Sequence, residues 1–349
     1  MDLNAKQHLL TLLRTIGSPL ASNQLQVDKR TESSYVPKLY SMAEANKIPL
    51  TYLNTLSPEE RRDLPAYNYH YARLCRLLEM ASEISELFNR ESIDYVIFKT
   101  LRHYPEDVSD IDVLNLGSHR DYVRMVEALR RRGYILMEKG AYCTTFKDYK
   151  TRFRTEAMID VYDEISVSRL IYLGKRKLSH YVVEKMLPRG GRTKVFTPEV
   201  ELLVTIAHSA IKENQYILAD YYATLYYLAE MDQTSIKRFM KLVRDARLVC
   251  AARWHLTITV LLHREAHGMV PKKLDLLSEL GSLWGSSYKI LGSGIPPYQT
   301  DLLTLARIFK EKLHDNIFRK NLLNQFKFTD TAFMRRLLRR SHMLMIRSK

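Results

Sequence analysis

Ser109-Asp110-Ile111-Asp112-Val113-Leu114 and Ile159-Asp160-Val161 contain the residues whose types and spacing best suit chemistry. Two carboxylates one apolar residue apart, in a run of strand formers, project from the same face of a strand because side chains alternate with period two. Such a pair can bridge metal ions. Asp160, in a second apolar run, completes a donor set for Mg²⁺ or Mn²⁺. Two such ions about 3.5–4 Å apart activate an attacking oxygen and clamp a leaving phosphate in phosphoryl transfer. On its own, Asp-x-Asp more often marks a turn or a solvated edge. Here its setting between strand-like runs points to a metal centre.

The elements that must position these carboxylates are legible around them. Asp94-Tyr95-Val96-Ile97-Phe98 is a strand-like run ending on Lys99 and Thr100, and nine residues separate Thr100 from Asp110. Apolar residues recur at helical spacing over 67–89, which predicts a long helix leading into that first strand. A second helix is expected over 121–132, with Ser118 as its cap and Gly133 as its stop. Strands are expected at 134–137, 143–146 and 156–162. The order strand, connection, strand, helix and three further strands predicts an α+β fold, a small mixed sheet with helices on one side. The predicted regions are an amino-terminal helical region (1–90), the core (91–194) and a carboxy-terminal basic helical region (195–349). Within the last, helices are expected over 199–212, 219–230, 236–244, 251–263, 299–312 and 331–346.

These motifs resemble the nucleotidyltransferase superfamily whose best-known member is DNA polymerase beta. Its pattern is Gly followed by Gly or Ser at the start of a short helix, nine to thirteen residues, Asp-x-Asp or Asp-x-Glu, and a third acidic residue on a later strand. Lys99-Thr100 stands at the Gly-Ser position, Asp110 and Asp112 match the pair, and Asp160 matches the third acid. Phe98-Lys99-Thr100, Asp110-Ile111-Asp112-Val113-Leu114 and Ile159-Asp160-Val161 are similar to an uncharacterised branch with Leu-Lys-Gly in place of Gly-Ser. Residues 40–53 and Thr197 to His208 resemble that branch's flanking elements. The resemblance implies transfer of a nucleoside monophosphate from an NTP to an acceptor hydroxyl, with release of pyrophosphate. It implies metal ligation by Asp110, Asp112 and Asp160, and nucleotide binding by Lys99, Thr100 and Ser109. The departure from Gly-Ser removes a permissive backbone and adds a cation that can contact phosphate.

The charge balance bears on the acceptor. The chain has 349 residues, 54 of them Lys or Arg against 39 Asp or Glu, for a net charge of +15. Residues 310–349 alone carry eleven basic and three acidic side chains. In a helix, Arg335, Arg336, Arg339 and Arg340 form one basic stripe beside Phe333, Leu337 and Leu338. A stripe of that kind attracts polyanions, which makes a nucleic acid, such as a tRNA-like 3′ end, the expected partner. A protein hydroxyl or a small-molecule acceptor is the alternative. So is a non-catalytic RNA-binding module built on a degenerate core. No apolar run is long enough to span a bilayer, and the first residues lack a signal-peptide core. Cys75, Cys143 and Cys250 are odd in number and far apart, so neither a disulfide framework nor a zinc ribbon is expected, and a cytoplasmic setting is.

Competing motifs have plainer readings. His255, His263 and His267 lack the partners of a zinc site. His208 reads as a satisfied core histidine, and Asp163 as a turn residue. Gly174-Lys175-Arg176-Lys177 lacks the frame of a P-loop, although its charges could line an entry to the site.

Overall fold

The computed structural model describes residues 3–20, 36–62, 64–148, 157–188, 190–275, 280 and 294–327. The amino-terminal part is helical: α1 (Leu3–Ile16), α2 (Val36–Ala45), α3 (Pro49–Leu53), α4 (Pro58–Arg62) and the long α5 (Pro65–Arg90). The core follows with β1 (Tyr95–Phe98), β2 (Asp110–Asn115), α6 (His119–Arg132), β3 (Ile135–Lys139), β4 (Cys143–Lys147) and β5 (Met158–Tyr162). After it come β6 (Ile165–Val167), β7 (Leu170–Leu173), β8 (Val182–Met186), β9 (Arg192–Phe196) and α7 (Pro198–Ala207). A π-helical turn, His208–Glu213, separates α7 from α8 (Leu218–Glu230), α9 (Gln233–Asp245) and α10 (Val249–His267). Helices Leu302–Lys312 and Asn316–Lys327 complete the described chain. The fold is α+β, as expected.

Seven strands form one mixed sheet in the order β3-β4-β5-β2-β1-β9-β8. β2 lies at its centre, antiparallel to β1 and parallel to β5. Period-two alternation divides the strands between two hydrophobic clusters. Tyr95, Ile97, Ile111, Val113, Ile159 and Val161 pack with Met80, Ile84, Phe88, Met125 and Leu129 of α5 and α6. Val96, Phe98, Leu114, Tyr162 and Phe196 face the other way, into a cluster that draws residues from Leu9 to Phe318. Helices therefore cover both faces, not one. The sheet is also wider than the sequence implied, because β8 and β9 form an added hairpin around Gly190 and Gly191, both at positive φ, with β9 parallel to β1.

Local chemistry explains the core helix. Ser118 accepts a hydrogen bond from the Asp121 N–H, and the Asp121 carboxylate accepts from the Ser118 N–H, a reciprocal capping box. Gly133, at φ 101°, closes the other end in the left-handed conformation. The expected 199–212 helix is divided, ending as α-helix at Ala207 and continuing as the π turn. The expected 299–312 helix starts at Leu302, because Tyr298–Gln299 pairs as a short strand with Gln215–Tyr216. The helix expected over 331–346 lies outside the described residues. Among the described residues no helix is long and apolar enough to cross a membrane.

Candidate active site

Asp110 and Asp112 leave β2 on the same side as Leu114, and Asp160 leaves β5 on the same side as Tyr162. The parallel β2–β5 register places Asp112 directly opposite Asp160. Each of Asp110, Asp112 and Asp160 offers a carboxylate oxygen, and these oxygens lie within 4.8 Å of one another. Among the described residues this is the only group of three or more His, Cys, Asp or Glu side chains so arranged. The 47 residues between Asp112 and Asp160 vanish as a distance because two strands of one sheet are hydrogen-bonded neighbours.

The connection that delivers Asp110 is anchored from the amino-terminal helices. Glu106 is buried and accepts hydrogen bonds from the N–H groups of Leu50 and Thr51 and from the Thr51 hydroxyl, at 3.4, 3.3 and 2.8 Å. Burial and the adjacent Asp107 push the Glu106 carboxyl up to about 8. Asp107 pairs with His70 Nδ1 at 2.9 Å and Arg73 at 3.4 Å. Residues 40–53 thus act on the site by clamping the loop that leads into β2.

The three carboxylates differ in their surroundings. Asp110 is partly exposed, and its Oδ1 accepts from the Ser109 hydroxyl at 2.8 Å. Asp160 accepts from Thr145 Oγ1 at 2.6 Å and from the Tyr162 hydroxyl at 3.3 Å. Burial raises its carboxyl above the usual range, partly offset by the Thr145 hydrogen bond. Asp112 is buried, and desolvation lifts it to about 6 even though the Lys99 ammonium opposes the shift. Its two oxygens are treated differently: Oδ2 lies 2.9 Å from Lys99 Nζ, whereas Oδ1 is buried without a hydrogen-bond partner. An orphaned carboxylate oxygen costs about 1–3 kcal/mol or more, and a hard divalent cation is the natural partner for such an atom beside two further carboxylates. The donor set fits Mg²⁺ or Mn²⁺.

Lys99 adopts φ 58°, the left-handed backbone conformation that glycine takes without strain. A lysine therefore holds a backbone shape that usually calls for Gly, and Glu201 keeps it there by accepting the Lys99 N–H at 2.9 Å. Glu201 is buried on α7, and desolvation pushes its carboxyl up to about 7, with the Lys99 N–H opposing. The Thr100 hydroxyl is buried and occupied internally. It accepts from the Asp112 N–H at 2.9 Å and lies within hydrogen-bond reach of the Phe98 and Asp110 carbonyls. Thr100 thereby ties the end of β1 to the start of β2.

His208 is not a core histidine. It lies at the site with Nδ1 3.2 Å from Lys99 Nζ and Nε2 3.5 Å from Glu213. Burial, followed by the charges of Lys99, Lys212, Lys47 and Arg102, drives its pKa well below the ordinary imidazole value, so it is neutral and accepts from Lys99. Lys212, on the same π turn, reaches the Tyr162 hydroxyl at 3.3 Å, and its charge acts on both Asp112 and Asp160. Arg102 donates to Tyr104 and to the Ala219 carbonyl, while its Nε is buried without a partner. The carboxylates therefore lie among the charges of Lys99 and Lys212, with Arg102 acting on Lys99 and Glu201 behind them.

Other expected features fall elsewhere. Lys175 is buried against Asp163 at 2.9 Å and does not line the site. Asp163 is no simple turn residue, since it also takes hydrogen bonds from Asn115 and His119. His255 is held by Ser209 and Thr224, and His263 by Ser18 and the Met269 carbonyl, which makes both structural. Arg335, Arg336, Arg339 and Arg340 lie outside the described residues. The sequence reading missed Glu201, Lys212 and Arg102. A buried acid in an otherwise apolar helix start was a signal for Glu201; nothing local marked the other two.

No family model matches the chain, and no curated protein matches it. Among solved structures, an antigenic nucleotidyltransferase-like protein from Paracoccidioides brasiliensis aligns with a TM-score of 0.32 and 15% identity, over 48% of this chain and 88% of its own. A likeness of that size establishes neither fold nor reaction.

Proposed function

We propose that this chain is a divalent-metal-dependent nucleotidyltransferase. It moves a nucleoside monophosphate from an NTP to an acceptor hydroxyl and releases pyrophosphate. The observation that carries this reading is the convergence of Asp110, Asp112 and Asp160 within 4.8 Å, with a buried Asp112 oxygen lacking any other partner, among the charges of Lys99 and Lys212. When bound by these carboxylates, Mg²⁺ or Mn²⁺ supplies the positive charge that polarises the reacting phosphoryl group.

The chain's own residues then have separable tasks. Lys212 and Arg102 offer positive charge to the polyphosphate of the NTP, while Lys99 pairs with Asp112. Asp160 accepts the proton of the attacking hydroxyl. Ser109 orients Asp110 through its hydrogen bond. Phosphoryl transfer demands mainly positioning and charge neutralisation, so no protein nucleophile is required. A nucleic acid is the acceptor class that the net charge of +15 favours, with Arg335, Arg336, Arg339 and Arg340 as the basic residues proposed to contact it.

The test is incubation with each radiolabelled NTP, Mg²⁺ and total cellular RNA or protein. Label entering RNA supports the proposal in full. Label entering only protein or small molecules moves the acceptor class. Absence of transfer to any fraction under conditions where the ion binds leaves the non-catalytic RNA-binding reading in its place.

A further inference from the structure

Clustered carboxylates can gather two divalent ions about 3.5–4 Å apart, and a carboxylate that bridges them gives one oxygen to each. We infer that Lys99 takes the place of one of them, so that the site holds a single divalent cation. The inference rests on the metal-dependent reading above and concerns the number of ions that site accepts.

Asp112 lies in register with Asp160 and one residue along the same strand face from Asp110, and only one of its oxygens is open. Oδ2 is engaged by Lys99 Nζ at 2.9 Å, while Oδ1 is the buried oxygen without a partner. The ammonium is not a surface group that happens to lean inward. The Lys99 side chain is 11% exposed, its Nζ also touches His208 Nδ1 at 3.2 Å, and it lies 5.2 Å from the centre of the Phe98 ring. The backbone beneath it is fixed by the Glu201 hydrogen bond at φ 58°. For a second ion to reach Oδ2, a buried lysine would have to leave an ion pair, an imidazole and an aromatic face together.

Lys99 then serves as a permanent, non-exchangeable cation on one side of Asp112, and the divalent ion binds on the side of Oδ1. Lys99 is a positioning residue in this arrangement, so its test reads ion number and not turnover. Mn²⁺ bound per chain is counted by electron paramagnetic resonance and by native mass spectrometry, at saturating Mn²⁺, with and without a non-hydrolysable nucleoside triphosphate. The wild type should hold one Mn²⁺ per chain beyond any carried by the free nucleotide. Lys99→Met, of similar length and without charge, should hold two, and Lys99→Arg should stay at one. Two ions in the wild type overturn the inference and leave the metal-dependent reading standing. One ion in Lys99→Met also overturns it, because the lysine is then not what limits the count. No ion in the wild type removes both readings. Should Lys99→Met fail to fold, the wild-type count with the triphosphate decides alone.

Discussion

Replacing Glu201 with Gln should make the protein more stable above neutral pH and change it little at pH 5. Glu201 is buried, and desolvation raises its carboxyl from 4.5 to about 7 despite the hydrogen bond from Lys99. Between those values the folded chain keeps a proton that the unfolded chain has released. Stability therefore falls as pH rises through this window, and the loss is complete above about pH 7. At roughly 1.36 kcal/mol per unit, the interval from 4.5 to about 7 amounts to about 3 kcal/mol as an upper bound. Gln keeps an oxygen to accept from the Lys99 N–H and never charges, but its amide N–H₂ needs acceptors, which offsets about 1 kcal/mol. A net gain of about 2 kcal/mol at pH 8, shrinking to nothing or less at pH 5, is the expected result. Urea unfolding of both proteins at pH 5, 6, 7 and 8 measures it. Asp112, Asp220 and Glu106 also carry raised carboxyls, yet they titrate in both proteins, so the difference isolates Glu201. A stability difference that stays constant across this range would refute the reasoning. Glu201→Ala behaves otherwise: it strands the Lys99 N–H and should destabilise at every pH.

Asp110→Asn should reduce nucleotidyl transfer to background with little change in melting temperature, since Asp110 is partly exposed; transfer at the wild-type rate would remove the assigned site. Asp112→Asn should also unfold more easily, by about 3 kcal/mol, because it leaves the Lys99 ammonium buried without its charge partner; equal melting of the two variants would contradict that pairing. Arg102→Met should weaken NTP binding about ten-fold or more, read as a shift in KM or in calorimetric Kd, and an unchanged value would place the polyphosphate elsewhere. Replacing Arg335, Arg336, Arg339 and Arg340 with Gln should weaken RNA binding and flatten its salt dependence by up to about 0.9 log units per log salt for each lost phosphate contact. An unchanged slope would clear the stripe of that role.

The carboxylate site was legible because period-two alternation is a local rule. Asp110, Ile111 and Asp112 state their own facing, and Asp160 beside Val161 states its own. That the two strands are neighbours is a sheet-topology fact, and only the resembled pattern suggested it. β8 and β9 were missed for a related reason. Val182 to Met186 and Arg192 to Phe196 mix charged and apolar residues around Gly190-Gly191, a hairpin signature that also reads as a plain boundary. The cationic residues were the least legible part. His208 and Lys212 belong to a run that reads as an ordinary apolar helix, and a π turn leaves no simple mark in sequence. Arg102 gains its meaning from Tyr104 and the Ala219 carbonyl, a partner 117 positions away. Lys99 was singled out, but its pairing with Asp112 depends on the positive φ, which its residue type disfavours.

The in-register placement of Asp112 opposite Asp160 has an evolutionary consequence. Carboxylates on neighbouring strands at the centre of a buried sheet repel one another and lose hydration, whereas Val or Leu at those positions would pack. Stability and this constellation therefore pull in opposite directions. In a library selected only for resistance to heat or protease, Asp160 should be among the first of these positions to drift toward apolar residues, whereas Asp112 should follow only together with Lys99, with whose ammonium it pairs.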